Sequence, residues 1–124
     1  MSPHQLVESF YAAALPGDWE AVAPLLHDRF SVTESAALPF SGTFQGLAGL
    51  RSLGKAIFKH CSRFEVTPQT FTTETDRVIV HLTVEGQIRA TERIFTTEIL
   101  ELFIIESGLI REIRPFYWDP SALC

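Results

Sequence analysis

Tyr11-Ala12-Ala13-Ala14-Leu15-Pro16-Gly17-Asp18 is followed, sixteen residues after the aspartate, by Glu34 at the end of the apolar-biased run Phe30-Ser31-Val32-Thr33-Glu34. The first piece reads as the end of an amphipathic helix broken by Leu-Pro-Gly, the second as a strand. A carboxylate carried into an apolar interior opposite a helix-borne phenol is suited to proton transfer on an apolar molecule, because burial lifts the carboxyl toward neutral pH. A pocket containing Glu34 and Tyr11 is therefore the first expectation.

Working outward, Ser2-Pro3-His4-Gln5 has the form of a capping box with Pro at the first helical position, and Leu6, Val7, Phe10, Tyr11 and Ala14 follow at helical spacing. This predicts a helix from about residue 3 to residue 14. Asp18 is placed to cap a short second helix carrying Trp19, Val22, Leu25 and Leu26, which Pro24 keeps short. After the strand, Ser35 to Gly46, with Pro39 and Gly42, reads as a loop able to serve as a lid. A third helix is expected from Gly46 to about Cys61, with Leu47, Leu50, Leu53, Ile57 and Phe58 in period.

The remainder reads as strand: Phe64 to Thr73, Arg77 to Gln87, Thr91 to Glu106 and Leu109 to Trp118, separated by turn residues. Helices followed by an antiparallel sheet make the expected class α+β, one domain of 124 residues. Both faces of Ile99 to Ile105 are largely apolar, so that strand is expected to be covered by helices on one side and by a partner subunit or ligand on the other.

Ten Phe, two Trp and two Tyr exceed what a core of this size needs, and the surplus points to a cavity lining or an oligomer interface. The net charge of -5 argues against a phosphate-backbone partner, which requires clustered Lys and Arg. Apolar runs such as Leu102 to Ile105 fall far short of the roughly 18 residues of a bilayer span, and the first residues lack a basic flank and apolar signal region. A soluble, cytoplasmic protein with no membrane or nucleic-acid partner is expected, with Cys61 and Cys124 as free thiols.

Several short motifs, taken in order, resemble the nuclear-transport-factor-2-like superfamily, in particular its SnoaL-like and ketosteroid-isomerase-like branch. They are Phe10-Tyr11-Ala12-Ala13-Ala14-Leu15 with Gly17-Asp18, Leu25-Leu26-His27-Asp28, Ser41-Gly42-Thr43-Phe44-Gln45-Gly46, and Gly108-Leu109-Ile110-Arg111-Glu112-Ile113-Arg114. The resemblance implies a cone: a curved mixed or antiparallel sheet wrapped around N-terminal helices, the cystatin-like α+β roll, with an apolar pocket and a homodimer through the outer sheet face. In ketosteroid isomerases an Asp base works beside a Tyr and a protonated Asp. Counting from Gly17-Asp18, the base position falls on Glu34. The phenol falls on Tyr11 with one residue fewer in the turn, and on Phe10 without that gap. The third position falls on Leu100, which donates nothing, and strand alternation offers Glu98 one pleat away.

The candidate catalytic residues are thus Glu34 as base and Tyr11 and Glu98 as donors. Candidate ligand-lining residues are Phe10, Trp19, Phe40, Phe58, His81, Leu100, Leu102, Tyr117 and Trp118. Each has a plainer reading. Glu34 also fits a strand end facing water, Tyr11 a core aromatic, and His81 a surface histidine on an amphipathic strand. Tyr117 and Trp118, in the run Pro115 to Pro120, suit a pocket mouth or a dimer contact equally. Glu101 lies opposite Leu100 and reads as a sheet-surface carboxylate paired with Arg111 or Arg114. The histidines are scattered and no metal, phosphate-loop or nucleophile signature occurs, so the expected chemistry uses no cofactor. Two readings stand side by side, acid/base enzyme acting on a small hydrophobic molecule by isomerisation, cyclisation or hydration, and non-catalytic dimeric ligand-binding or accessory module, with an interaction protein using the outer sheet face alone as a third.

Overall fold

The computed structural model describes residues 1–124. Helix α1 spans Pro3–Ala14 and starts where the capping box places it: Gln5 N–H donates to the Ser2 hydroxyl at 3.1 Å and Ser2 N–H donates to Gln5 Oε1 at 2.9 Å. Its apolar face buries Leu6, Val7, Phe10 and Tyr11. Asp18 accepts from Ala21 N–H and caps α2, Trp19–Val22, which tightens at Pro24 into a single 3-10 turn. Then come β1 (Leu26–Glu34), β2 (Gly42–Gln45), α3 (Gly46–His60), β3 (Cys61–Glu74), β4 (Arg77–Ile88), β5 (Ile94–Glu106) and β6 (Leu109–Tyr117). The chain closes on a 3-10 turn, Pro120–Leu123, that buries Leu123.

The six strands form one curved, unclosed sheet in the order β2-β1-β6-β5-β4-β3. All neighbours are antiparallel except β1 and β6, which run parallel and make the sheet mixed. The α+β roll expected from the sequence is the observed architecture. The parallel pairing also explains why β1 begins at Leu26 rather than near Phe30: Leu26 stands opposite Ile110 of β6, a partner that local pattern does not reveal. Conversely β5 starts at Ile94 instead of Thr91, because Glu92 takes a positive φ of 59° in the preceding turn.

Alternation decides which side chains face inward. Val78, Val80, Leu82 and Val84 of β4 and Phe95, Ile99, Phe103 and Ile105 of β5 are buried under the helices. The opposite face presents Ile79, Leu100 and Phe116 to solvent, so the expected second cover over β5 is not supplied by this chain itself. The expected lid loop is also different: Leu38 and Phe40 are buried and β2 pairs with β1, which pins the Ser35–Gly46 segment to the body of the protein. Helix α3 follows β2 without a linker. Gly46 makes that junction at φ +67°, a region L side chains rarely adopt, and a Cβ on Gly49 would come within 2.7 Å of the Phe44 backbone. The helix therefore lies directly against the edge strand.

Candidate functional site

Between α1, the turn after it, α3 and the concave sheet face lies a cavity of about 490 Å³, within the range of small-molecule sites. Phe10, Trp19, Phe58, Phe64, Ile99 and Tyr117 supply much of its apolar wall. Its polar lining comes from a few side chains on different elements.

Glu34 ends β1 in phase with Phe30 and Val32, both buried, so the strand pleat carries its carboxyl inward with them. It lines the cavity, is only 4% exposed, and its Oε1 is buried without a hydrogen-bond partner. Loss of water, and secondarily the negative charge of Glu101, pushes its pKa up to about 8. A buried carboxyl oxygen without a partner is rare in cores, and in a cavity with a raised pKa it marks a candidate functional group.

Glu101 is the residue that sequence reading put on the wrong side of the sheet. It shares the inward face of β5 with Ile99 and Phe103, stands opposite Pro115 of β6, and lines the cavity. Its Oε1 accepts from the Tyr11 hydroxyl at 2.6 Å, while the arginines expected to pair with it serve elsewhere: Arg111 donates to the Arg29 carbonyl and Arg114 to Glu112. Burial raises the Glu101 pKa to about 7, against the lowering effect of the Tyr11 hydrogen bond. The phenol of Tyr11 is held protonated by burial and then by the Glu101 charge beside it, and Tyr117 is raised by burial and by the charges of Glu34 and Glu101. Edge contacts fix the Tyr11 ring, with Phe10, Phe103 and Phe71 centroids 5.7, 5.6 and 6.1 Å away.

Of the other residues singled out in the sequence, Phe10, Trp19, Phe58 and Tyr117 line the cavity. Phe40 is buried behind it, with its ring centroid 6.2 Å from that of Tyr117. Glu98, His81, Leu100, Leu102 and Trp118 are corrected to the outer face: β5 alternation turns Glu98, Leu100 and Leu102 away from Ile99 and Glu101, and β4 turns His81 away from Val80 and Leu82. There Glu98 meets His81 at 2.7 Å, and Trp118 is 84% exposed. No group of three or more His, Cys, Asp and Glu side chains is arranged to hold a metal ion.

The two raised carboxyls set a pH dependence. The unfolded chain releases these protons near the ordinary 4.5, the folded chain near 7 and 8, so in that window the folded state binds more protons and loses stability as pH rises. Urea unfolding is expected to show a loss on the order of 2–4 kcal/mol between about pH 5 and about pH 9. Stability that climbs through this range would contradict buried, protonated carboxyls.

No curated protein matches the chain by sequence. Solved structures share its fold at low identity. An NTF2-like protein of Burkholderia thailandensis superposes with a TM-score of 0.90 at 21% identity, covering 99% of this chain and 95% of its own. TerC, co-crystallised with polyporic acid, gives 0.84 at 18% identity over 97% and 93%. A protein of ketosteroid-isomerase-like fold from Catenulispora acidiphila, in complex with trimethylamine, gives 0.77 at 14% over 95% and 88%. At these identities the likeness speaks for the fold alone. The SnoaL-like domain model, however, matches residues 7–113, and with a curved, unclosed sheet and three helices around an acid-bearing cavity, the chain belongs to the SnoaL-like domain family.

Proposed function

We propose that this protein binds a small hydrophobic molecule in the cavity and catalyses cofactor-free acid/base chemistry on it, an isomerisation, cyclisation or hydration, with Glu34 as the base. The observation that carries the reading is the buried, unpartnered Glu34 Oε1 in an apolar cavity, its carboxyl poised at about 8. A base works best when its pKa lies near the operating pH. Tyr11 serves charge that develops on a substrate oxygen when its hydroxyl turns from Glu101, which in the resting protein accepts it and orients it, whereas the donor first sought in Glu98 lies on the outer face. SnoaL-like membership, and the fact that TerC was co-crystallised with polyporic acid and the Catenulispora protein is in complex with trimethylamine, support the reading of a small-molecule binder.

The test is exchange of carbon-bound hydrogen for deuterium in a panel of small cyclic ketones and enones in deuterated buffer, followed by NMR. Exchange above background with the wild-type protein, abolished by Glu34→Gln, is the expected result. Exchange that the variant retains removes Glu34 from the role of base. A second reading, a non-catalytic binding or accessory module, is favoured by one observation: the Tyr11 hydroxyl is already committed to Glu101. Either function is consistent with a cytoplasmic homodimer joined through the outer sheet face, where Leu100, Phe116 and Ile79 are exposed.

A further inference from the structure

Two cations stand at the cavity without acidic partners. Arg51 and Lys55 both line it, four residues apart on α3, with Gly54 and Phe58 on the same lining stretch of the helix. Both are exposed. The ion pairs of the chain engage His4, His27, Arg29, Arg63, His81 and Arg114. Neither Arg51 nor Lys55 is among them, although acids outnumber Lys and Arg by 15 to 10. Nor is either spent on a hydrogen bond within the protein. The Arg51 guanidinium instead lies 5.8 Å from the ring centroid of Trp19, itself a lining residue, which holds the charge at the rim.

The cavity is therefore polarised. Its buried end carries Glu34 and Glu101, its exposed rim carries two uncommitted positive charges, and apolar surface separates them. We infer that the molecule bound here is an anionic amphiphile: a cyclic or aromatic body seated in the cavity, with a carboxylate or other acidic group left at the mouth beside Arg51 and Lys55. This deepens the reading of the cavity as a ligand site and rests on it. An anion pushed to the buried end would meet two carboxyls, and a cationic ligand would have to pass two like charges on entry. With the anion outermost, both ends of the ligand are satisfied and its reacting carbon lies toward Glu34. An anion at the rim also selects orientation, since the reversed molecule would bury its charge.

The experiment compares anilinonaphthalene sulfonate with N-phenylnaphthylamine, the same ring system without the anionic group, and benzyltrimethylammonium as the oppositely charged competitor. Binding is read by probe emission and by quenching of Trp19 in a Trp118→Phe background, which leaves Trp19 as the sole tryptophan. Two exposed charge contacts predict that the Arg51→Gln/Lys55→Gln double variant binds the sulfonate about tenfold more weakly, with the neutral probe changed by less than about twofold. Added salt should weaken the sulfonate alone. Gly54→Leu, whose side chain enters open space at the cavity wall, should weaken both probes and so locate them.

Equal loss of the two probes in the double variant, unchanged sulfonate binding, or displacement by benzyltrimethylammonium in preference to the sulfonate overturns the inference while leaving the cavity a ligand site. Failure of both probes to bind overturns the cavity reading as well. Loss of the catalytic reading alone, through a Glu34→Gln variant that still promotes exchange, leaves the sulfonate preference intact.

Discussion

Glu34→Gln is expected to keep ligand binding and to lower turnover by ~10²–10⁴-fold, the usual contribution of a positioned general base. The amide fills the volume of the carboxyl and offers similar polarity, so the cavity and its apolar contacts persist, but it has no basic oxygen that can take up a proton at neutral pH. Because burial and the Glu101 charge raise the Glu34 pKa to about 8, only a minority of the wild-type protein holds the ionised base at neutrality. The rate in the wild-type protein should therefore rise with pH, reach half its maximum near 8 and level off above about pH 9, over the same interval in which folding stability falls. Activity and stability moving in opposite directions with pH is a signature that a surface carboxylate does not produce. The substitution should also remove part of the high-pH instability, stabilising the fold by ~2 kcal/mol at about pH 9 and by little at about pH 4. Unchanged turnover in the variant would sink the mechanism, and an unaltered urea midpoint at high pH would show that the carboxyl is solvated.

Phe103→Ala should be the most damaging single truncation of the core that packs against α1, at about 3–5 kcal/mol, the range for removing a fully buried aromatic from a core. Phe103 is 0% exposed, lies opposite Val78 of β4 and Ile113 of β6, and sets its ring edge-on to Phe10 and Tyr11, each 5.6 Å away. It joins three strands and α1 at one point. The cavity created beneath Tyr11 would also free that ring to tilt, so the Tyr11–Glu101 hydrogen bond should loosen. Phe103→Leu, which retains most of the volume, should cost under about 1.5 kcal/mol. Chemical denaturation of the two variants checks the order; equal effects would mean that the loss comes from the aromatic contacts and not from the missing volume.

Much of this architecture is written in short-range pattern. The capping box at Ser2, the break at Leu15-Pro16-Gly17 and the alternation Phe30, Val32, Glu34 are each complete within a few residues, so α1, its turn and the inward carboxyl could be placed from sequence. Glu101 could not. Its phase with Ile99 and Phe103 was plain, but Leu100, Leu102 and Ile104 make the other face equally apolar, and alternation identifies two faces without saying which is inside. Counting along the resemblance put the third position on Leu100, one residue short of Glu101, and so drew Glu98 toward the cavity, when Glu98 and His81 are in fact neighbours on the outer surface. The parallel β1–β6 pairing joins residues more than eighty positions apart and leaves no local mark. Arg51 and Lys55 look like ordinary solvated helix residues until the cavity beneath them is seen.

Helix α3, one wall of that cavity, is fastened at both ends, running from β2 and into β3 with no intervening loop, and its flank is pressed onto Phe44 at Gly49. A beam clamped in this way has no hinge. Along this wall the width then changes only through side chains such as Phe58 and Lys55, while the backbone behind them sets a limit on thickness. Thin, flat guests of considerable length should pass readily, whereas a compact but thick one should be refused at any concentration.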